Sequence, residues 1–130
     1  MNKRLVDTSA WIEVLRRDGD QNIRASMIQA TLEKKAAICD MVLLELWAGA
    51  SGSHERAVIA QMSTDLERLG IDDEVWKRAH ALAQVCRAAG VTVPASDMLI
   101  AACADRHGVE LLEHDAHFGM IRAARAKSKS

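Results

Sequence analysis

The stretch Lys3-Arg4-Leu5-Val6-Asp7-Thr8-Ser9-Ala10-Trp11-Ile12-Glu13-Val14-Leu15 decides the fold. A short run ending in two apolar residues stops at three good helix-capping residues, and an apolar-rich helical segment follows; the order is strand, turn, helix. Working outward, the same step recurs. Ala36-Ala37-Ile38-Cys39 is small or apolar throughout, as a strand covered on both faces would be, and Asp40 is placed to cap the helix of Met41-Val42-Leu43-Leu44-Glu45-Leu46-Trp47. Val91-Thr92-Val93-Pro94-Ala95 reads as extended and Ser96-Asp97 opens a helix through Ala104. Gly108 stops that helix before the strand-like Val109-Glu110-Leu111-Leu112, and a last short helix starts at Asp115.

Helical stripes fill the intervals. Asp20 precedes Ile23, Met27 and Ala30, with Ile28 and Leu32 widening the apolar face, and Val58, Ile59, Met62 and Leu66 form another stripe. Leu69-Gly70-Ile71 has the character of a brief strand. Asp72-Asp73-Glu74 then gives an acidic entrance to the helix of Val75, Ala79, Leu82, Ala83 and Cys86, which Gly90 ends. Strands and helices alternating through short links predict an α/β fold, a three-layer α/β/α domain around a central parallel sheet. One domain is expected over residues 1–121. Arg122, Arg125, Lys127 and Lys129 have no acids among them, so residues 122–130 are expected to be a loose basic tail.

Composition narrows the function. The chain has 130 residues, 49% hydrophobic and 27% charged, with 17 basic against 18 acidic side chains, which excludes disorder for most of its length. No apolar run is long enough to span a membrane and an acid is reached at Asp7 before any signal-type stretch forms, so no membrane association and a cytoplasmic location are expected. Cys39, Cys86 and Cys103 are odd in number, far apart and form no C-x-x-C, which points to buried free thiols rather than disulfides or a zinc site. With one Phe, three Trp and no Tyr, the chain lacks the aromatic platform of base-stacking modules. Trp11 and Trp47 are expected in the core.

In open parallel α/β sheets, ligands gather beyond the carboxyl ends of the strands. Asp7 ends the first strand, Asp97 starts the helix after residues 91–95, and Asp115 follows the strand at 109–112, so the three can project from one edge. Singly, each has a structural explanation as a helix cap or a complement to a helix dipole. Glu45 is set among apolar neighbours, where a carboxylate needs a partner, a proton or a cation unless it lies on the polar stripe. Four acids in one cluster raise one another's pKa values, and a divalent cation is the simplest remedy. Oxygen ligands favour Mg²⁺ or Mn²⁺ over zinc, and such ions point to phosphate chemistry.

The motif around Asp7, the isolated Glu45 in Leu43-Leu44-Glu45-Leu46, the segment Pro94-Ala95-Ser96-Asp97-Met98-Leu99-Ile100-Ala101-Ala102-Cys103-Ala104 and the segment Leu111-Leu112-Glu113-His114-Asp115-Ala116-His117-Phe118 carry a family resemblance. In this order they resemble the PIN-domain ribonucleases, and among them the VapC toxins of bacterial toxin-antitoxin pairs, from Leu5 to about Ile121. The resemblance implies a PIN-like domain whose Asp7, Glu45, Asp97 and Asp115 form a catalytic, metal-binding acidic site, with Ser9 hydrogen-bonding near the first acid. It further implies a Mg²⁺-dependent endoribonuclease, with Mn²⁺ as a substitute, that cuts a structured cellular RNA such as tRNA or rRNA. The products expected are 5′-phosphate and 3′-hydroxyl ends. A homodimer inhibited by a VapB-type antitoxin is implied as well. One departure is visible: Glu113 stands where the family commonly has Thr or Ser.

Other signals have solvated or structural explanations. His114 and His117 flank Asp115 and could touch phosphate, although loop histidines are commonly just solvated. Gly49-Ala50-Ser51-Gly52-Ser53 lacks the order of a phosphate-binding P-loop and reads as a turn. Arg16-Arg17, Lys34-Lys35 and the basic end could track an RNA backbone or simply be solvated. Ala101, Ala102 and Ala104 would let the helix after Asp97 approach the sheet closely, or reflect helix propensity alone. A nuclease of RNA maturation without an antitoxin, and a degenerate PIN-like binding module, are the alternatives; a D-x-D phosphatase would need a second carboxylate at Ser9, and a receiver would need its acid pair at an early strand end rather than at Asp72-Asp73.

Overall fold

The computed structural model describes residues 3–15 and 19–129. Its elements run β1 (Arg4–Val6), α1 (Thr8–Leu15), α2 (Gln21–Leu32), β2 (Ala36–Cys39), α3 (Asp40–Gly49), α4 (Ser53–Asp65), β3 (Glu67–Leu69), α5 (Asp73–Ala88), α6 (Ala95–His107), β4 (Glu110–Leu112) and α7 (Ala116–Ser128). The four strands form one sheet in the order β3-β2-β1-β4, every pair parallel. Helices flank it: α5, α6 and α7 pack on one another, and α1 packs on α2 and α3. The α/β/α layering with a central parallel sheet is therefore the observed architecture.

The core follows from the apolar pattern. All four residues of β2 are buried, and Leu5 and Val6 of β1 are wholly inaccessible, as expected of inner strands with helices on both faces. Helix α6 is buried over Leu99, Ile100, Ala101, Ala102, Cys103 and Ala104 and packs chiefly on α5. Cys39, Cys86 and Cys103 are free and buried.

Chain order and sheet order together position the site. From β1 the chain moves outward to β2 and β3, then returns across to place β4 on the other side of β1. The direction of winding thus reverses between β1 and β4, which is where open α/β sheets form a crevice at the strand carboxyl ends. Val6 is registered with Leu112, and the Asp7 amide donates to the Leu112 carbonyl at 2.9 Å. The turns that leave β1 and β4 are thereby fixed side by side.

Several expectations need correction. The third strand is Glu67–Leu69, two residues earlier than Leu69-Gly70-Ile71. Asp40 is the first residue of α3 rather than its cap, and its carboxylate pairs with Arg68 at 3.4 Å. Residues 91–94 form no ladder, so Asp97 follows an irregular connector instead of a strand. Ile28, Leu32, Leu44 and Trp47 are exposed although each continues an apolar stripe. The basic end is no loose tail: α7 runs to Ser128, Ala124 is buried, Arg125 pairs with Asp105, and Arg122 lies 3.8 Å from Glu113. The acids that hold this helix come from earlier elements, where a local reading of residues 122–129 does not look. Arg16 and Arg17 lie outside the described residues.

Helix α6 ends in a hydrogen-bonded turn that launches β4. Gly108 adopts φ 63°, its amide donates to the Ala104 and Asp105 carbonyls, and the Val109 amide donates to Ala104 at 3.1 Å. This left-handed cap favours glycine because a Cβ there crowds the following carbonyl oxygen. Gly108→Ala should lower unfolding stability by about 1 kcal/mol with the urea m-value unchanged, measured by equilibrium denaturation.

Candidate active site

The first carboxylate is built by the β1 turn. Asp7 is 2% exposed, and its Oδ2 accepts from the Ser9 amide at 3.0 Å and from Ser9 Oγ at 2.6 Å. Ser9 Oγ in turn accepts from the His114 amide at 2.9 Å, so one hydroxyl joins the turn after β1 to the turn after β4. Asp7 Oδ1 is buried with no hydrogen-bond partner. A buried carboxylate oxygen without a donor carries a desolvation cost that a proton, a cation or a donor water can offset. Burial accordingly pushes the Asp7 carboxyl above its ordinary range, against the opposing hydrogen bonds from Ser9.

The second comes from the first turn of α6. Asp97 is 6% exposed, and its Oδ2 lies 2.9 Å from Nδ1 of His117. Burial first, and the Asp7 charge second, push its carboxyl up to about 6, while the hydrogen bond with His117 pulls the other way. Asp115 supplies the third. It caps α7, its Oδ1 accepting from the His117 amide at 2.9 Å and lying 3.1 Å from His117 Nδ1. Its charge acts on both Asp7 and Asp97. Three acids from β1, α6 and the β4–α7 turn thus share one crevice, and Ser9 lies beside the first of them.

Glu45 approaches by a different route. It is half-buried on α3, and its Oε1 accepts from Thr8 Oγ1 at 2.8 Å. It is therefore tied to the residue after Asp7, and no hydrogen bond joins it to Asp7, Asp97 or Asp115 among the described residues. Its apolar neighbours are not a sealed pocket, since Leu44 and Trp47 face outward. Glu113 acts locally, its Oε2 accepting from the Asp115 amide at 3.1 Å in a turn bond that a Thr or Ser hydroxyl could make equally. A glutamate at this position keeps the turn and adds a charge.

His117, which a local reading leaves solvated in a loop, lies between two of the acids. The signal for it is in the spacing. A cap residue that accepts from the amide two positions on brings that residue against its own carboxylate, and Asp115 and His117 have this spacing. The half-exposed His114 side chain stays outside the acid group, 3.8 Å from Glu13. Thr8, which holds Glu45, also escapes a reading of the sequence alone.

The donor set suits a divalent cation. One ligand atom each from Asp97, Asp115 and His117 lies within 4.8 Å of the others, and the orphaned Asp7 Oδ1 is the kind of buried oxygen that a cation satisfies. Crowded carboxylates, a partly desolvated setting and at least one unfilled acceptor fit a hard or borderline ion.

The chain is similar to known proteins over most of its length. The PIN domain family model matches residues 4–124. The chain is 35% identical over 122 residues to the Ribonuclease VapC11 of Mycobacterium tuberculosis, covering 90% of both chains. It is 27% identical to the Ribonuclease VapC18 of the same organism, covering 91% of this chain and 86% of that one. Among solved structures, the DNA-bound VapBC complex from Salmonella typhimurium contains a chain that superposes with a TM-score of 0.70 at 25% identity, covering 84% of this chain and 83% of that one.

The electrostatics yield a stability test. Because the folded Asp97 carboxyl titrates near 6 and the unfolded one near 3.8, protonating it favours the fold. Its contribution is complete below about pH 4 and is lost as pH rises through 6. In EDTA at pH 7.5, Asp97→Asn should be more stable than wild type by about 1–3 kcal/mol, and the difference should shrink toward pH 4.5 in urea melts.

Proposed function

We propose, from the premise that this chain belongs to the PIN domain family, that it is a Mg²⁺-dependent endoribonuclease toxin of a type II toxin-antitoxin system. Its relatives are named VapC ribonucleases, and the observation that carries the reading is the convergence of Asp7, Asp97 and Asp115 around a buried, unsatisfied carboxylate oxygen. The substrate class is a structured cellular RNA such as tRNA or rRNA, cut in the cytoplasm.

Asp7, Asp97 and Asp115 would hold the cation, with Glu45 completing the acidic set from α3. When bound, the cation supplies positive charge to polarise water and to stabilise the phosphodiester as charge builds on it. The chain's own residues set the geometry. Ser9 holds Asp7 Oδ2 so that Oδ1 remains available, and Glu113 fixes the turn that presents Asp115. Thr8 keeps Glu45 at the rim of the crevice. Attack of water on phosphorus forms the new P–O bond and breaks the bond to O3′. A carboxylate of the cluster takes the water's proton and the leaving oxygen acquires one, which gives 5′-phosphate and 3′-hydroxyl ends.

Partners follow from the same reading: a second copy of the chain, and a VapB-type antitoxin. The groove lined by Ile12, Leu15, Leu46 and Ile59 opens beside Thr8 and Glu45, and Ile12 and Leu15 are both more than two-fifths exposed. An apolar antitoxin segment lying there would shield those side chains and block the approach to the acids. Leu15→Arg should weaken antitoxin binding by tenfold or more, about 1.4 kcal/mol, while RNA cleavage by the free toxin persists.

The decisive experiment is cleavage of total cellular RNA by purified, antitoxin-free protein, with new 5′ ends mapped by sequencing. Discrete cuts are expected with Mg²⁺, none with EDTA, and a loss on the order of 100-fold or more in Asp97→Asn. Folded wild-type protein that leaves RNA intact with Mg²⁺ or Mn²⁺ would overturn the assignment.

A further inference from the structure

We infer that His117 is itself a nitrogen ligand of the cation site, and that it makes this site bind Mn²⁺ more tightly than Mg²⁺ without excluding Mg²⁺. The inference rests on the reading that the acidic crevice binds a divalent cation, and it names a ligand and an ion preference beyond that reading.

The geometry is specific. Nδ1 of His117 lies 2.9 Å from Asp97 Oδ2 and 3.1 Å from Asp115 Oδ1. Neighbouring ligands around an octahedral ion with bonds near 2.1 Å stand about 3 Å apart, so Nδ1 has the spacing of an adjacent ligand to each of the two acid oxygens, and all three atoms lie within 4.8 Å of one another. A hydrogen bond to Asp97 serves only one of the two acid oxygens that the ring nitrogen faces. Nδ1 carries at most one proton yet faces two carboxylate oxygens, and Asp115 Oδ1 already has a donor in the His117 amide. A cation satisfies all three atoms together. The nearby buried Asp7 Oδ1, which has no partner, is a separate observation that points to a ligand in the same crevice.

The nitrogen changes which ion is preferred. Mg²⁺ favours oxygen donors and gains little from imidazole; Mn²⁺ is likewise suited to carboxylate and water oxygens, but as a first-row transition ion it gains more than Mg²⁺ from one nitrogen donor added to them. The sequence pattern predicts oxygen ligands alone. The docking of α7 against the start of α6 adds the nitrogen.

Mn²⁺ and Mg²⁺ binding to the intact protein can be measured by calorimetry, with pulsed EPR on the Mn²⁺-loaded form as a readout independent of cleavage. Wild type should bind Mn²⁺ at least about tenfold more tightly than Mg²⁺ and show hyperfine coupling to a histidine nitrogen. His117→Phe should lose the coupling and His114→Phe should retain it. His117→Asp, which restores an oxygen donor, should reduce the Mn²⁺ preference by about fivefold or more. Mn²⁺ bound at the acids without nitrogen coupling, or a coupling that survives His117→Phe, would overturn the inference while leaving the cation site intact. Mn²⁺ binding that is absent, or unchanged by Asp97→Asn, would overturn the cation reading and this inference with it.

Discussion

The rest of the structure depends on a carboxylate placed where it is hardest to solvate. Asp7 stands at the end of an inner strand, almost fully buried, with only one of its two oxygens hydrogen-bonded. The charges of Asp97 and Asp115 act in the same crevice and raise the cost of ionising any one of them. A fold selected for stability alone would replace such a group or give it a donor. Retaining it makes sense where a positive charge is to be received, because the unsatisfied electrostatics of the free protein become binding energy for a cation.

The crevice exists because the sheet winds in two directions from β1. With β2 on one side and β4 on the other, the turns after β1 and β4 emerge as neighbours, and Ser9 ties them through Asp7 on one side and the His114 amide on the other. Asp97 reaches the same place from a helix instead of a strand. Its position depends on the burial of α6 among its neighbours, where Ala101, Ala102 and Ala104 permit close packing. Each acid is therefore carried by a different part of the core. A change that loosens α6 would shift Asp97 relative to Asp7 even though no site residue had been altered.

Much of this is legible in the sequence because local chemistry and final structure agree. Asp20 and Asp72 cap helices, Asp115 caps α7, Gly108 takes the left-handed turn, and the uniformly apolar β2 is buried. What escapes depends on contacts between distant elements. Leu44, Trp47, Ile28 and Leu32 fit helical apolar stripes but face solvent, since periodicity marks a face without saying what covers it. Helix α7 reads locally as a tail because Asp105 and Glu113, which hold its arginines, belong to α6 and the β4 turn. His117 reads locally as solvated because its significance appears only once α7 is docked beside Asp97.

Glu113 shows how a departure from a family pattern can be conservative locally and consequential nearby. Its carboxylate keeps the turn bond to the Asp115 amide, so the backbone that presents Asp115 is preserved. Unlike a hydroxyl, it brings a negative charge, which Arg122 on α7 faces at 3.8 Å. The arginine side chain is largely exposed, so this pair is worth little to stability in itself. Its effect is positional: it gives the added charge a basic partner on the following helix. The basic end of the chain thus serves as a counter-ion to the turn that presents Asp115, while the charges that raise the cost of ionising Asp97 are those of Asp7 and Asp115.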